Sequence, residues 1–202
     1  MAAKSQILLR RKQQLVEDTI WNAAIDLFSK EGFDETTVDD IAEAAGVSQR
    51  TFFRYFASKS DLMGQGVLTY GEKLRAAIKA SPKSAGEFEL LRRAVLEIAD
   101  SLASFPRTRE VIAIAMKYPA AREAQLSRMG DVEEAVAQSF AGRLKKGRKR
   151  ELNARLLAGL TLTILDVTMR MWFDDSSQDV TRMAEQVMKA LVHLAASADL
   201  QS

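Results

Sequence analysis

The sequence GFDETTVDDIAEAAGVSQRTFFRYF, residues 32–56, holds the pattern that decides the fold. Its apolar residues recur at helical spacing and are interrupted at Gly46, which predicts two short helices, over about 38–45 and 49–56, joined by a glycine turn. Ser48 stands directly before the second helix, where its hydroxyl can cap free backbone N–H groups. A helix, a tight glycine turn and a second helix form the supersecondary unit that reads DNA.

The rest of the chain has the same helical spacing, and no stretch alternates apolar and polar residues over the length of a strand. The predicted helices are about 14–31, 38–45, 49–56, 59–79, 85–104, 106–117, 119–145, 151–173 and 178–197. We therefore predict an all-α fold of about nine helices. The short early helices indicate a three-helix helix-turn-helix domain over 1–57 with a basic N-terminal arm, and the long later ones a larger helical domain over 58–202.

Composition narrows the functional classes. The 202 residues carry a net charge of +2 and are 47% hydrophobic, which is ordinary for a folded globular protein. Cysteine is absent, which excludes disulfides, thiolate nucleophiles, zinc–thiolate sites and iron–sulfur clusters. The most apolar stretch, 156–165, is far short of the roughly 20 residues that span a bilayer. We expect a buried helix there, no signal peptide, no membrane association and a cytoplasmic protein.

Charge is distributed unevenly over the first 60 residues. The acidic residues of this segment all precede Ala44, and the charged residues from there to Ser60 are Arg50, Arg54 and Lys59. Such a local positive excess favours DNA, because neutralising phosphates supplies most of the sequence-independent affinity. The basic run at 10–12 offers further contacts to phosphates or to a minor groove.

The third helix is expected to turn Phe52 and Phe56 inward, since they lie one turn apart. Side chains suited to base edges then face outward, because Arg pairs with guanine, Gln with adenine, and Thr or Phe touches a thymine methyl. Thr37, Tyr55 and Lys59 are better placed to hold phosphates. The predicted DNA-binding residues are Thr37, Ser48, Gln49, Arg50, Thr51, Phe53, Arg54, Tyr55 and Lys59.

The last two helices predict a homodimer. Helix 151–173 is apolar around most of its circumference, so it needs cover on more than one side. Helix 178–197 carries a narrower apolar stripe of the coiled-coil kind, formed by Val180, Met183, Ala184, Val187, Leu191 and Leu194. We predict that both helices meet their copies in a two-fold four-helix interface.

Catalytic and metal sites find little support in the sequence. His193 is the single histidine and has no cysteine beside it to share a metal. No nucleophile elbow or zinc-helix motif is present, so we predict no enzymatic activity and no cofactor. The basic run 143–150 is typical of a solvated helix end. The alternative function is a helical protein-interaction module whose DNA-binding head is degenerate.

The residues around the glycine turn resemble the DNA-binding domain of the tetracycline-repressor (TetR) family of bacterial regulators. The segments that carry the resemblance are Phe33, 36–42, 46–48, 51–56 and 59–62, within a match of about 15–65. Phe53 departs from the family pattern, which usually has a tyrosine there. A weaker resemblance over about 85–195 is to a subgroup with an acyl-CoA-like ligand-binding domain, which includes the mycofactocin-system regulators.

The resemblance implies a homodimeric transcriptional repressor that binds a palindromic operator and is released by a small-molecule effector, here an acyl-CoA or another apolar ligand. It places the effector inside the later helices and the dimer contacts on the last two. Met and aromatic side chains with aliphatic neighbours line adaptable sites as well as cores. The candidate ligand-binding residues are Met63, Val67, Tyr70, Phe88, Leu91, Met116, Phe140, Ile164, Met169 and Trp172.

Overall fold

The computed structural model describes residues 2–105, 107–175 and 177–198, without the side chains of 2–5, 7, 10, 103 and 198. Its elements are α1 (Ala2–Lys30), α2 (Val38–Ala44), α3 (Gln49–Tyr55), α4 (Lys59–Ala80), α5 (Glu87–Ser104), α6 (Thr108–Lys117), α7 (Pro119–Ala141), α8 (Arg150–Asp174) and α9 (Val180–Ala198). The described ranges contain no strand, and the predicted all-α fold is confirmed.

Helix α1 begins at Ala2, so the predicted start near residue 14 is wrong, and the basic run at 10–12 lies within the helix. The physical reason is composition: the segment before residue 14 has neither proline nor glycine and is rich in Ala, Leu, Gln, Lys and Arg, which are strong helix formers. The side chains of Arg11 and Lys12 are exposed on this helix, and that of Arg10 lies outside the described part.

The chain forms two compact units. The first unit consists of Met1–Gly66 and Glu110–Ser127, and the second of Val67–Arg109 and Arg128–Ser202. The segment predicted as the DNA-binding domain therefore packs with a later piece of chain that includes most of α6 and the start of α7. A domain boundary near residue 57 stays a prediction.

The core of the first unit is aromatic. Phe28, Phe33, Phe52 and Phe56 are each at most 1% exposed, and Ile114 of α6 joins the same cluster. Burying a large apolar side chain contributes roughly 1.5–3 kcal/mol relative to leaving it exposed. This core fixes the inner faces of α2 and α3, and so determines which of their residues face solvent.

The second unit packs α5 against α8 and α9. Half of the α9 stripe predicted for dimerisation is buried within the protomer, since Val180, Met183 and Ala184 are at most 2% exposed. This half of the stripe packs within the protomer, whereas Leu194 is exposed, and a dimer interface formed by α8 and α9 stays a prediction. The large apolar residues that α9 exposes are Val192 and Leu194.

Helix α8 has an exposed apolar face. Leu152, Leu156, Val167 and Met171 are 38–56% exposed, and their spacing along the helix puts them within about 100° of one another. An 18-residue stretch of this helix is strongly apolar, and 33% of that stretch is buried in the chain. By length and composition α8 is long and apolar enough to cross a membrane, but core helices of soluble proteins have the same properties, so the absence of membrane association stays a prediction.

Candidate nucleic-acid interface

Helix α2 begins with a capping box. The Thr37 hydroxyl accepts a hydrogen bond from the Asp40 backbone N–H at 3.2 Å, and the Asp40 carboxylate accepts from the Thr37 backbone N–H at 2.8 Å. The Thr37 hydroxyl also donates to that carboxylate at 2.6 Å. These hydrogen bonds, chiefly the one from the Thr37 side chain, lower the pKa of Asp40. The first turn of α2 is thus held by its own side chains.

The turn between α2 and α3 requires Gly46. This residue has φ of +65°, and its N–H donates to the carbonyl of Glu43 at 3.0 Å, while the N–H of Val47 donates to that of Ala42 at 2.9 Å. Together these bonds make a Schellman motif, in which a left-handed glycine ends the helix. Ser48 then accepts from the Thr51 N–H at 3.1 Å and caps α3. The predicted helix-turn-helix geometry is present.

Helix α3 presents a mixed polar and apolar face to solvent. Gln49, Arg50 and Arg54 are exposed, Phe53 is 54% exposed, and Thr51 and Tyr55 lie half-buried on the flanks. The Arg54 guanidinium lies 5.0 Å from the centroid of the Tyr55 ring. The structure therefore brings together the four outward residues that the sequence predicts for base contacts.

Three other predicted DNA contacts are engaged within the protein. The hydroxyls of Thr37 and Ser48 cap α2 and α3, as described above. The Lys59 ammonium donates to the carbonyls of Phe33, Asp34 and Thr36 at 2.6, 3.0 and 2.9 Å. The capping box was readable from a Thr followed three residues later by an Asp, whereas the Lys59 contacts span more than 20 residues and have no local signal.

The ten candidate ligand residues do not form one cluster. Seven of them pack in or against the core of the second unit, namely Val67, Tyr70, Leu91, Phe140, Ile164, Met169 and Trp172. Met63 lies in the core of the first unit, and Phe88 and Met116 are 50% and 60% exposed. These three residues lie outside the core of the second unit. Residue type did not predict this, because it does not distinguish a core position from a surface position.

The second unit also has a surface cavity of about 300 Å³ that contains none of the ten candidates. Its lining residues are Arg75, Lys79, Ala135, Gln138, Ser139, Gly142 and Arg143. Arg143, at the start of the basic run, donates to the carbonyls of Ile78, Lys79 and Pro82 at 2.7–3.0 Å. This arginine ties the end of α4 to the end of α7, a structural role that the sequence did not indicate.

Comparison with known proteins finds a family match within the first unit. Residues 20–65 match the model of bacterial regulatory proteins of the tetR family. These residues are similar to the N-terminal domain of the TetR family. The chain is 27% identical over 197 residues to the HTH-type transcriptional regulator TcmR of Streptomyces glaucescens, covering 91% of this chain and 84% of TcmR. It is 26% identical to a putative mycofactocin biosynthesis transcriptional regulator, MftR, of Mycobacterium tuberculosis, covering 85% and 86% of the two chains.

Solved structures share the fold over most of the chain. FadR of Bacillus subtilis, solved with stearoyl-CoA, has a TM-score of 0.61 at 21% identity and covers 86% of this chain and 96% of its own. NalD, described as the secondary repressor of a Pseudomonas aeruginosa efflux pump, has a TM-score of 0.59 at 22% identity, covering 91% and 96%. The domain and the named relatives confirm the predictions of a transcriptional regulator and of a chain that is not an enzyme.

Proposed function

We propose that this chain is a homodimeric repressor that binds a two-fold operator through α3 and releases it when an apolar or acyl-type effector binds the second unit. The observation that carries the proposal is the outward face of α3, where Gln49, Arg50, Phe53 and Arg54 lie on a helix capped at its start and anchored by buried Phe52. Arginine and glutamine read guanine and adenine in the major groove through paired hydrogen bonds.

The charge around α3 supports the same function. The chain carries no acidic residue from 44 to 60, and the exposed cations of that segment are Arg50 and Arg54. In α2, the Asp40 carboxylate is bonded to Thr37. A phosphate backbone approaching α3 meets positive charge and exposed polar groups. Thr51 and Tyr55, half-buried on the flanks, are the proposed neighbouring contacts.

The proposed dimer surface is the exposed face of α8 together with the end of α9. Leu152, Leu156, Val167 and Met171 share that face of α8, and Leu194 of α9 is 69% exposed. A contiguous apolar surface on a regulator of this kind is stabilised by a second copy, because a two-fold contact buries the same residues twice. The same argument makes membrane association unnecessary to explain the hydropathy of α8, and we propose a cytoplasmic location.

The proposed effector site lies within the core of the second unit. Seven of the candidate ligand residues pack there, and the hydroxyl of Thr168 in α8 is buried without a hydrogen-bond partner among the described residues. A buried hydroxyl without a partner is uncommon in proteins and is satisfied when a ligand supplies one. An effector of the acyl-CoA class is supported by FadR, which shares the fold and was solved with stearoyl-CoA.

The proposal is tested by comparing affinity for a fragment selected from genomic DNA with affinity for a scrambled duplex of equal length at the same salt. A repressor of this kind binds the selected fragment about 10³-fold or more tightly. Addition of an acyl-CoA then releases the selected fragment. Equal affinity for both duplexes contradicts the proposal and favours the alternative, a helical interaction module whose α8 and α9 bind a protein partner.

A further inference from the structure

The ammonium of Lys59 lies in the turn that joins α1 to α2. Its Nζ donates to the carbonyl oxygens of Phe33, Asp34 and Thr36 at 2.6, 3.0 and 2.9 Å. An ammonium has three N–H donors, so these three acceptors use all of them. The same nitrogen lies 4.8 Å from the centroid of the Phe33 ring, within the range of a cation–π contact.

The turn that Lys59 holds leads directly into the DNA-reading helices. The Phe33 ring is 1% exposed and packs 4.8 Å from the Phe28 ring in the core. Thr36 is also 1% exposed, and its hydroxyl donates to the carbonyl of Gly32 at 2.7 Å. Thr36 immediately precedes Thr37, the N-cap of α2, and α2 is joined to α3 by a short turn. The direction in which the turn leaves the core therefore sets the position of α3.

We propose that Lys59 is a positioning residue, which orients α2 and α3 by holding the α1–α2 turn and does not bind a phosphate in the DNA complex. The inference rests on the proposed function, because it concerns how the same DNA-binding surface is held. For Lys59 to reach a phosphate, its ammonium would have to leave three carbonyls that converge on it. Those carbonyls would then lack their charged donor, which is costly in a partly buried site.

Lysine labelling tests the geometry directly in the full-length protein. An amine-reactive reagent is applied with and without selected operator DNA, and the rate at each lysine is read by mass spectrometry. Lys59 should react about tenfold more slowly than exposed Lys30 in the DNA-free protein, because labelling requires the turn to open, and DNA should not change its rate. A Lys59 that reacts like Lys30 without DNA and is protected only by DNA overturns the proposal.

A pair of variants tests the consequence for DNA binding. Lys59→Met should lower the ratio of operator affinity to scrambled-duplex affinity by about tenfold, since a misplaced α3 loses base contacts. Lys30→Met, the control in the exposed last turn of α1, should leave the ratio unchanged. A phosphate contact would weaken both duplexes alike, so an unchanged ratio with uniform loss in Lys59→Met overturns the proposal.

The two tests separate this inference from the proposed function. If the unmodified protein does not prefer the operator over the scrambled duplex, the proposed function fails. The labelling rates in the DNA-free protein still decide the role of Lys59 in that case. They also decide it if Lys59→Met does not fold.

Discussion

The hydroxyl oxygen of Tyr118 lies 2.7 Å from the position that a Cβ atom would take on Gly32. Gly32 has φ of +109°, a backbone conformation that essentially only glycine adopts. The turn after α1 is thus restricted twice, by its own backbone and by a side chain at the junction of α6 and α7. Because residues 110–127 belong to the first unit, this later segment packs on the turn that leads to the DNA-binding helices.

Gly32→Ala should therefore lower the free energy of unfolding by about 1–3 kcal/mol from backbone strain, with a further cost from displacing Tyr118. Gly46→Ala is the matched control, since Gly46 also has positive φ but has nothing within 4 Å of an added Cβ. It should cost about 1–2 kcal/mol from conformation alone. Urea unfolding measures both, and an equal loss in the two variants would show that Tyr118 does not restrict this turn.

Arg50→Ala should reduce discrimination at one base pair of each half-site by about 1–3 kcal/mol, because Arg50 is exposed on α3 and no partner among the described residues fixes it elsewhere. Titration of operator variants measures this effect, with circular dichroism and dimer mass as controls for folding. A loss of affinity that is the same for all operator variants would contradict a base contact and show that Arg50 binds the phosphate backbone.

Asp40→Asn should make the stability of the first unit less sensitive to acid. Hydrogen bonds from Thr37 lower the pKa of Asp40 in the folded state, so its stabilising effect is present at neutral pH and is lost as pH falls through the folded-state pKa. The variant lacks this titration, so its melting temperature should fall less than that of the unmodified protein between about pH 7 and about pH 3. Asp39→Asn, outside the capping box, is the control. Identical acid sensitivity in Asp40→Asn and the unmodified protein would contradict the linkage.

If the exposed apolar face of α8 forms the dimer, charged substitutions on it should change the oligomeric mass of the protein. Leu156→Glu combined with Val167→Glu puts two charges on the proposed dimer surface, where both side chains are exposed in the protomer, and should give a folded monomer. Leu126→Glu, at an equally exposed leucine of α7, should leave the dimer intact. Sedimentation equilibrium measures the masses. A dimer that survives the double substitution would place the interface elsewhere.

Thr168→Val should weaken release of operator by stearoyl-CoA while leaving stability unchanged or raised, because it removes a buried hydroxyl without a partner. Thr161→Val is the matched control on α8, since the Thr161 hydroxyl donates to the Leu157 carbonyl at 2.7 Å. The control should lose about 1 kcal/mol of stability and keep the effector response. Unchanged release in Thr168→Val would exclude the hydroxyl from the effector site.

Local pattern was sufficient to predict the helices and the DNA-binding motif, because a glycine turn, a cap and helical spacing are all short-range features. The roles of Lys59 and Arg143 were not predictable, since each side chain satisfies carbonyls distant in sequence. Half of the α9 stripe predicted to face a partner is buried within the protomer, because apolar periodicity does not say which neighbour covers a residue. The same limit applies to Phe88 and Met116, whose exposure depends on tertiary packing.

The most direct test of the central claim is footprinting of the purified protein on fragments selected from genomic DNA at fixed physiological salt. We predict a protected site with two-fold sequence symmetry, whose half-sites are centred about 34–36 Å apart or a multiple of that distance. Recovery of only salt-sensitive fragments without common sequence would contradict it, because α3 would then bind phosphates without reading bases.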